Sequence, residues 1–223
     1  MAFCAMRTSL KNRIHSFLAK YGLSPEDGSQ PFSQRGRTWL NTNLTRLPPQ
    51  TARCVSQHFE LLDSHSLQIT EFEGRIHDHI ALTPTMQLLK SLPGISDMLA
   101  IVIEREIGTI SRFPSAAQFS SYCGTTPRVV SSGGKTRYGR MRLESNRYLK
   151  RAFIEAANAI SAHHAQRGWT SRHVSRLYNR VRAKRGASDA IGTVARHLAE
   201  STFWIMTKND PYRELSQVSP RQG

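Results

Sequence analysis

Apolar positions recur along this chain at helical spacing. The clearest run lies between Thr51 and Leu82, where Val55, Phe59, Leu62, Ile69, Ile76 and Ile80 follow at steps of 4, 3, 7, 7 and 4. This heptad-like seam predicts one long helix with a narrow apolar stripe. Two roles stay open for it: a coiled-coil arm that joins copies of the chain or spaces two domains, and a helix packed inside its own domain. His77 and His79 fall on different faces of that helix, so they are not expected to share a metal ion.

The remaining elements follow from the same periodicity and from punctuation. Leu10, Ile14, Phe17 and Leu18 predict an amphipathic helix over Ser9–Lys20, ended by Gly22 and Pro25. Residues 26–36 read as a loop, a short helical piece surrounds Trp39 and Leu40, and Pro48-Pro49 interrupts the chain. After Pro84 come helices over Thr85–Ser91, from the Ser96 cap to Ile107 with Gly108 as the stop, and over Pro114–Tyr122. Thr125–Tyr138, rich in Gly, Thr and Ser, reads as a loop. Asn146–His163 is a long helix burying Leu149, Phe153, Ala156, Ala157 and Ile160. Arg172–Lys184 and Ala187–Met206 are the last two helices, and residues 216–223 read as a disordered tail. No segment alternates convincingly with period two, so the expected fold is mainly α. The expected divisions are residues 1–50, a helical segment with linker; 51–83, the coiled-coil-like helix; 84–215, a compact helical domain; and the tail.

Charge changes the picture. The 223 residues carry 31 Lys and Arg against 16 Asp and Glu, a formal charge of +15. Between Arg128 and Arg185 there are fifteen basic residues and two acids, Glu144 and Glu155, so most of the excess sits in about a quarter of the chain. Such segregation fits a phosphate-binding face better than a merely solvated surface, which would mix both signs. No apolar run reaches the roughly 18–20 residues of a membrane span, and the first residues lack the apolar core of a signal peptide. Cys4, Cys54 and Cys123 are far apart and odd in number. They read as reduced thiols of a cytoplasmic protein with neither metal nor redox spacing.

Three stretches carry candidate chemistry. Leu92-Pro93-Gly94-Ile95, between two short helices, has the form of a helix-hairpin-helix turn. Its glycine lets backbone approach a phosphate, and the next helix directs its N-terminus there. Pro93, Gly94 and Ile95 are therefore candidate DNA contacts, although any turn between helices can use Pro-Gly. The second stretch runs from Ser131 to Arg140. Gly133 and Gly134 permit close approach to a sugar-phosphate backbone. Lys135, Arg137 and Arg140 can neutralise phosphate, and Ser131 and Ser132 offer hydroxyl nucleophiles. On residue chemistry alone, a flexible basic loop that only touches phosphate accounts for it better. In the third stretch, Arg172, Arg176 and Arg180 are spaced by four along a predicted helix and form a candidate rail for a phosphate backbone. His163, His164 and His173 lack companions at metal spacing and read as surface residues.

Taken in order, these pieces resemble a known family. Leu92-Pro93-Gly94-Ile95, Glu106-Ile107-Gly108, Arg112-Phe113-Pro114-Ser115, Gly124-Thr125-Thr126-Pro127, Ser132-Gly133-Gly134-Lys135, Gly139, and Asn146-Arg147-Tyr148-Leu149 with Ala156-Ala157 are similar to the C-terminal domain of the insertion-sequence one-ten transposases, which include the eleven-eleven subgroup and invertase relatives. Ala195-Arg196 with Leu198 fits the end of that domain. The resemblance covers about Gln87 to Glu214, and Asn12-Arg13-Ile14-His15 with the long helix fits the segment before it.

The resemblance implies DNA transposition through a serine that becomes covalently linked to DNA. Ser132, directly before the Gly-Gly pair, would be that nucleophile, with Ser131 as fallback, and Arg147 joins the expected nucleic-acid contacts. It also implies a structured guide RNA as partner, association of copies through residues 55–80, and a place in the bacterial cytoplasm at the nucleoid. Family members further carry an RNase-H-like domain with four metal-binding acids. The acids here form no such strand-borne set and the chain starts roughly where that domain ends, so no metal site is expected in this chain, and Mg2+ only where such a domain is supplied. The alternative expectation is a non-catalytic nucleic-acid-binding remnant. Arg142-Leu143-Glu144-Ser145, with Leu143 and Ser145 in place of the family's Lys and Gly, and Thr125 in place of an apolar residue, mark a divergent copy.

Overall fold

The computed structural model describes residues 2–25, 27–132, 135–141 and 145–214; for residues 2, 128–132 and 135–141 it describes the backbone alone. The chain divides into two compact units, Met1–Ile80 and Ala81–Gly223. The expected tail, 216–223, the Gly133-Gly134 pair and Arg142 to Glu144 lie outside the described residues.

The first unit pairs α1 (Ala2–Lys20) with α3 (Pro49–His79), with α2 (Gln34–Asn43) beside them. The two long helices run antiparallel: Phe3 meets His65 and Phe72, whereas Tyr21 lies by Thr51. The seam of α3 therefore has a partner within the chain. Val55, Phe59 and Leu62 are buried in one cluster with Ile14, Leu18, Leu23, Leu40 and Leu47, and Ile69 is also buried. Only Ile76 and Ile80, at the far end of the seam, stay half-buried. Of the two roles left open by the spacing, packing inside its own unit is the one that Val55, Phe59, Leu62 and Ile69 perform. Arg37 clamps Asp63 with two hydrogen bonds, at 2.7 and 2.5 Å, and lies over the Phe59 ring. The arginine holds the Asp63 carboxyl below its ordinary value by that hydrogen bonding first, against the cost of burial. The loop between α1 and α2 passes so close that a methyl on Gly36 would stand 2.1 Å from the Gln30 carbonyl oxygen.

The second unit is built around α9 (Ala187–Lys208), which packs on α4 (Pro84–Leu89), α6 (Ala116–Tyr122), α7 (Arg147–His163) and α8 (His173–Arg185). α5 (Asp97–Ile107) packs on α4 and α7. The core is aliphatic and aromatic: Leu149, Phe153, Ala156 and Ile160 of α7 and Val194, Leu198, Ala199 and Phe203 of α9 are buried. Phe119 is fully buried between Phe113, Phe153 and Phe203 at centroid distances of 5.1, 6.5 and 6.3 Å. Side chains set the helix starts. Thr83, Ser96, Ser115 and Asn146 each accept hydrogen bonds from the first-turn amides of α4, α5, α6 and α7. Gly108, at φ 63°, ends α5.

The fold is mainly helical, as the periodicity implies, with one difference. Within the stretch Thr125–Tyr138 that reads as a loop, residues 127–132 and 135–138 are strand. β1 (Pro127–Ser132) and β2 (Lys135–Met141) form an antiparallel hairpin with an irregularity near its base. No helix among the described residues is long and apolar enough to cross a membrane.

Candidate nucleic-acid interface

The hairpin leaves the helical scaffold after α6 and returns at α7. In its register Ser132 stands opposite Lys135, Ser131 opposite Thr136 and Val130 opposite Arg137. The serines and bases that the sequence singles out therefore share one ribbon, and Ser132 is the last described residue of β1. Its neighbours Gly133 and Gly134, and the side chains of Ser131, Ser132, Lys135, Arg137 and Arg140, lie outside the described residues.

The base of the ribbon is tightly held. On the outgoing side, Thr125 is buried, and both its amide and its hydroxyl donate to the Ser120 carbonyl at 3.1 and 2.9 Å. That accounts for a hydroxyl in a buried position. Gly124, at φ 67°, lies so close to Ser145 that a methyl there would stand 2.3 Å from its Oγ. On the returning side, the Asn146 amide N–H donates to the Tyr122 carbonyl at 2.9 Å, which joins the two ends. The Asn146 side chain faces two ways. Its Oδ1 accepts from the Tyr148 and Leu149 amides at 2.9 and 3.0 Å. Its Nδ2 donates to Glu106 Oε2 at 2.7 Å and lies 3.4 Å from the Tyr122 hydroxyl. The Arg112 guanidinium sits over both Phe113 and Tyr122, at 4.6 and 4.9 Å from the ring centroids.

The other basic candidates are spread over the unit. Arg147 and Tyr148 are exposed in the first turn of α7, directly after the hairpin. The four-step rail is broken at its start: Arg172 is the residue before α8, and its guanidinium lies 4.6 Å over Trp169. Arg176 turns back to donate to the Ser171 carbonyl at 3.0 Å, while Arg180 is exposed. Arg182, Lys184 and Arg185 occupy the last turn of α8, where cations also complement the helix dipole.

The Leu92–Ile95 turn is taken up in packing. Leu92, Pro93 and Ile95 are buried, and a methyl on Gly94 would stand 2.5 Å from the Ala156 carbonyl oxygen of α7. The N-terminus of α5 carries Asp97, paired with Lys90 at 2.6 Å. An acid in the first turn competes with an incoming phosphate for that helix end.

Two features escape reading by spacing. Glu106 and Asn146 are 40 residues apart. The second feature is the strap after α9. The Tyr212 amide donates to Ser91 Oγ at 2.7 Å, and Glu214 accepts from the His173 amide at 2.8 Å. The His173 and His197 rings lie 5.0 Å apart, with the Tyr212 hydroxyl 3.4 Å from His197 Nε2. Burial holds the His197 imidazole below its ordinary value and the neighbouring His173 reinforces this, opposed by Glu200 and Glu214. Burial first, and then Glu214, pushes the Tyr212 hydroxyl up to about 12. The histidines read as surface residues are half-buried: His163 stacks on Trp169, and His164 Nδ1 lies 2.6 Å from the Ser161 carbonyl oxygen. Among the described residues no group of three or more His, Cys, Asp or Glu side chains is placed to hold a metal ion. The divalent metal implied by the resemblance does not fit these residues.

The fold and the site define a class: a helical unit presenting a basic, serine-bearing ribbon clamped at its base. Residues 86–173, which span the ribbon and both helices that hold it, match the family described as Transposase IS116/IS110/IS902. The chain is 24% identical over 207 residues to the transposase for insertion sequence element IS1111A of Coxiella burnetii, covering 93% of this chain and 56% of that protein. It is 27% identical over 154 residues to the transposase for insertion sequence element IS1328 of Yersinia enterocolitica, covering 68% of this chain and 44% of that protein. A mini-circle putative transposase for IS117 of Streptomyces coelicolor is 30% identical over 102 residues, 45% of this chain and 25% of that protein. The chain spans about half the length of the first two relatives.

Proposed function

We propose that this chain acts in DNA transposition, with Ser132 as the nucleophile of strand exchange and the hairpin as the element that meets the DNA backbone. The observation that carries this reading is the hairpin register within the matched segment, which sets Ser132 opposite Lys135 on a ribbon that also bears Arg137. By the two-residue period of a strand, positions 132, 135 and 137 share a face and positions 131 and 136 the other. This favours Ser132 over Ser131.

In the proposed step the Ser132 hydroxyl oxygen bonds to a phosphodiester phosphorus and loses its proton, while the departing sugar oxygen gains one. The product is a phosphoserine ester and a free strand end, and the reverse step joins a new strand. Lys135, Arg137 and Arg140 stabilise charge on the phosphoryl oxygens. Arg147, Arg176 and Arg180 hold the backbone without reading sequence. A structured RNA binds the same basic surface as guide. The Pro93–Ile95 turn serves as scaffold, given its burial against α7.

Replacing Ser132 with Ala abolishes strand breakage and leaves nucleic-acid binding intact; an Ala variant that still cuts overturns the assignment. Binding by several phosphate contacts also gives a log–log salt slope of about −0.9 per contact on duplex DNA. A flat salt response removes the interface.

A further inference from the structure

We propose that Glu106 and Asn146 are positioning residues for the hairpin: their hydrogen bond sets the angle at which the ribbon, and with it Ser132, leaves the scaffold. The catalytic consequence rests on the function proposed above; the mechanical claim rests on the fold alone.

Asn146 lies on the returning side of the ribbon, directly before α7. Through its backbone N–H it holds Tyr122, at the outgoing end, and through Oδ1 it caps α7. These contacts fix which side of its amide is the oxygen, so Nδ2 is left to donate to Glu106. Glu106 comes from the last turn of α5, where a carboxylate opposes the helix dipole. Helix stability therefore gives no reason for an acid there, whereas the bond to Asn146 does. Arg112, lying over Tyr122 and Phe113, holds the third member of the cluster.

The ribbon needs such an anchor because two strands alone are marginal in water. β1 has six residues, which places Ser132 roughly 16 Å from the base at the rise of a strand. A tilt of about 5° there moves the serine by more than about 1 Å, enough to cost a positioned reaction about a hundredfold.

The bond can be broken and rebuilt in reverse. Asn146→Asp keeps the oxygens that cap α7 but sets a second carboxylate against Glu106. Glu106→Gln then supplies a donor, so the double variant restores the bond with donor and acceptor exchanged. Hydrogen exchange of the full chain reads the hairpin directly. The expected result for Asn146→Asp is exchange about tenfold faster across 127–141, a thermal midpoint unchanged and DNA affinity within about threefold. DNA-adduct formation at Ser132 should fall by at least about tenfold. The double variant returns exchange and adduct formation toward wild type. Glu106→Ala, which leaves the cap untouched, accelerates the same amides. Hairpin exchange unchanged in both Asn146→Asp and Glu106→Ala, or a double variant no better than Asn146→Asp, overturns the proposal. If wild type forms no adduct while the exchange pattern holds, the serine assignment fails and the positioning claim stands. If every variant forms adduct at the wild-type rate with unchanged exchange, the positioning claim fails and the serine assignment stands.

Discussion

Gly94 and Ala156 meet backbone to backbone: a methyl on the Gly94 Cα would stand 2.5 Å from the Ala156 carbonyl oxygen, and the glycine holds φ at 84°. Neither the distance nor the dihedral tolerates a side chain, because the obstacle is main chain. Gly94→Ala is expected to lower stability by about 2 kcal/mol or more, measured by urea unfolding followed in residues 81–214. A variant with native stability and only weakened DNA binding would instead return this turn to the phosphate-contact role that its Pro-Gly pattern suggests.

The seam of α3 makes a second prediction. Leu62 is fully buried in the first unit, so Leu62→Ala removes packing from within one chain. The expected loss is about 2–5 kcal/mol, and its size does not change with protein concentration. Hydrogen exchange of 2–79 across a dilution series checks it. A loss that grows on dilution would mean that Leu62 packs between copies.

The strap after α9 is expected to be acid-sensitive. His197 is held below its ordinary value of 6.5 by burial and by His173, against Glu200 and Glu214. The unfolded chain therefore takes up that proton first, and stability rises with pH between the two values. Stability should be full above pH 6.5 and fall as the pH drops below it. Denaturant midpoints measured along that pH range test this, and His197→Gln should flatten the slope. An equal slope in both proteins would assign the acid response to other groups.

Thiol chemistry separates two of the three cysteines. Cys123 is buried and burial pushes its thiol far up, despite Arg112 nearby, whereas Cys54 is exposed. Only the thiolate reacts with alkylating reagents. Mass spectrometry after brief treatment of the native protein should find Cys54 modified and Cys123 untouched. Rapid labelling of Cys123 would show that the end of α6, and so the root of the hairpin, opens readily.

Much of the helical scaffold is legible in the sequence because helix signals are local. Ser96 and Gly108 bound α5 as their types imply, and the apolar spacing of α7 marks the face that is buried. The hairpin was hidden for a physical reason. Val129-Val130-Ser131-Ser132 does not alternate, and a two-stranded ribbon standing off a helical core need not bury one face, so it lacks the period-two pattern of a half-buried sheet. The Gly133-Gly134 pair between two short runs was the available sign of a hairpin. The base of the ribbon was not legible in any local pattern, since Glu106, Tyr122 and Asn146 come from three elements. The rail of Arg172, Arg176 and Arg180 failed as a straight line because spacing cannot say where a helix begins, and Arg172 lies one residue before α8.

The most direct measurement of the central claim is covalent capture. The full chain is incubated with labelled nicked DNA, guide RNA and magnesium, with and without a separately produced acidic RNase-H-like domain, and the products are denatured and digested for peptide mapping. The account predicts a DNA adduct on the peptide containing Ser132, absent in Ser132→Ala, whose DNA binding is retained. An adduct that persists in Ser132→Ala, or that maps to Ser131, contradicts it.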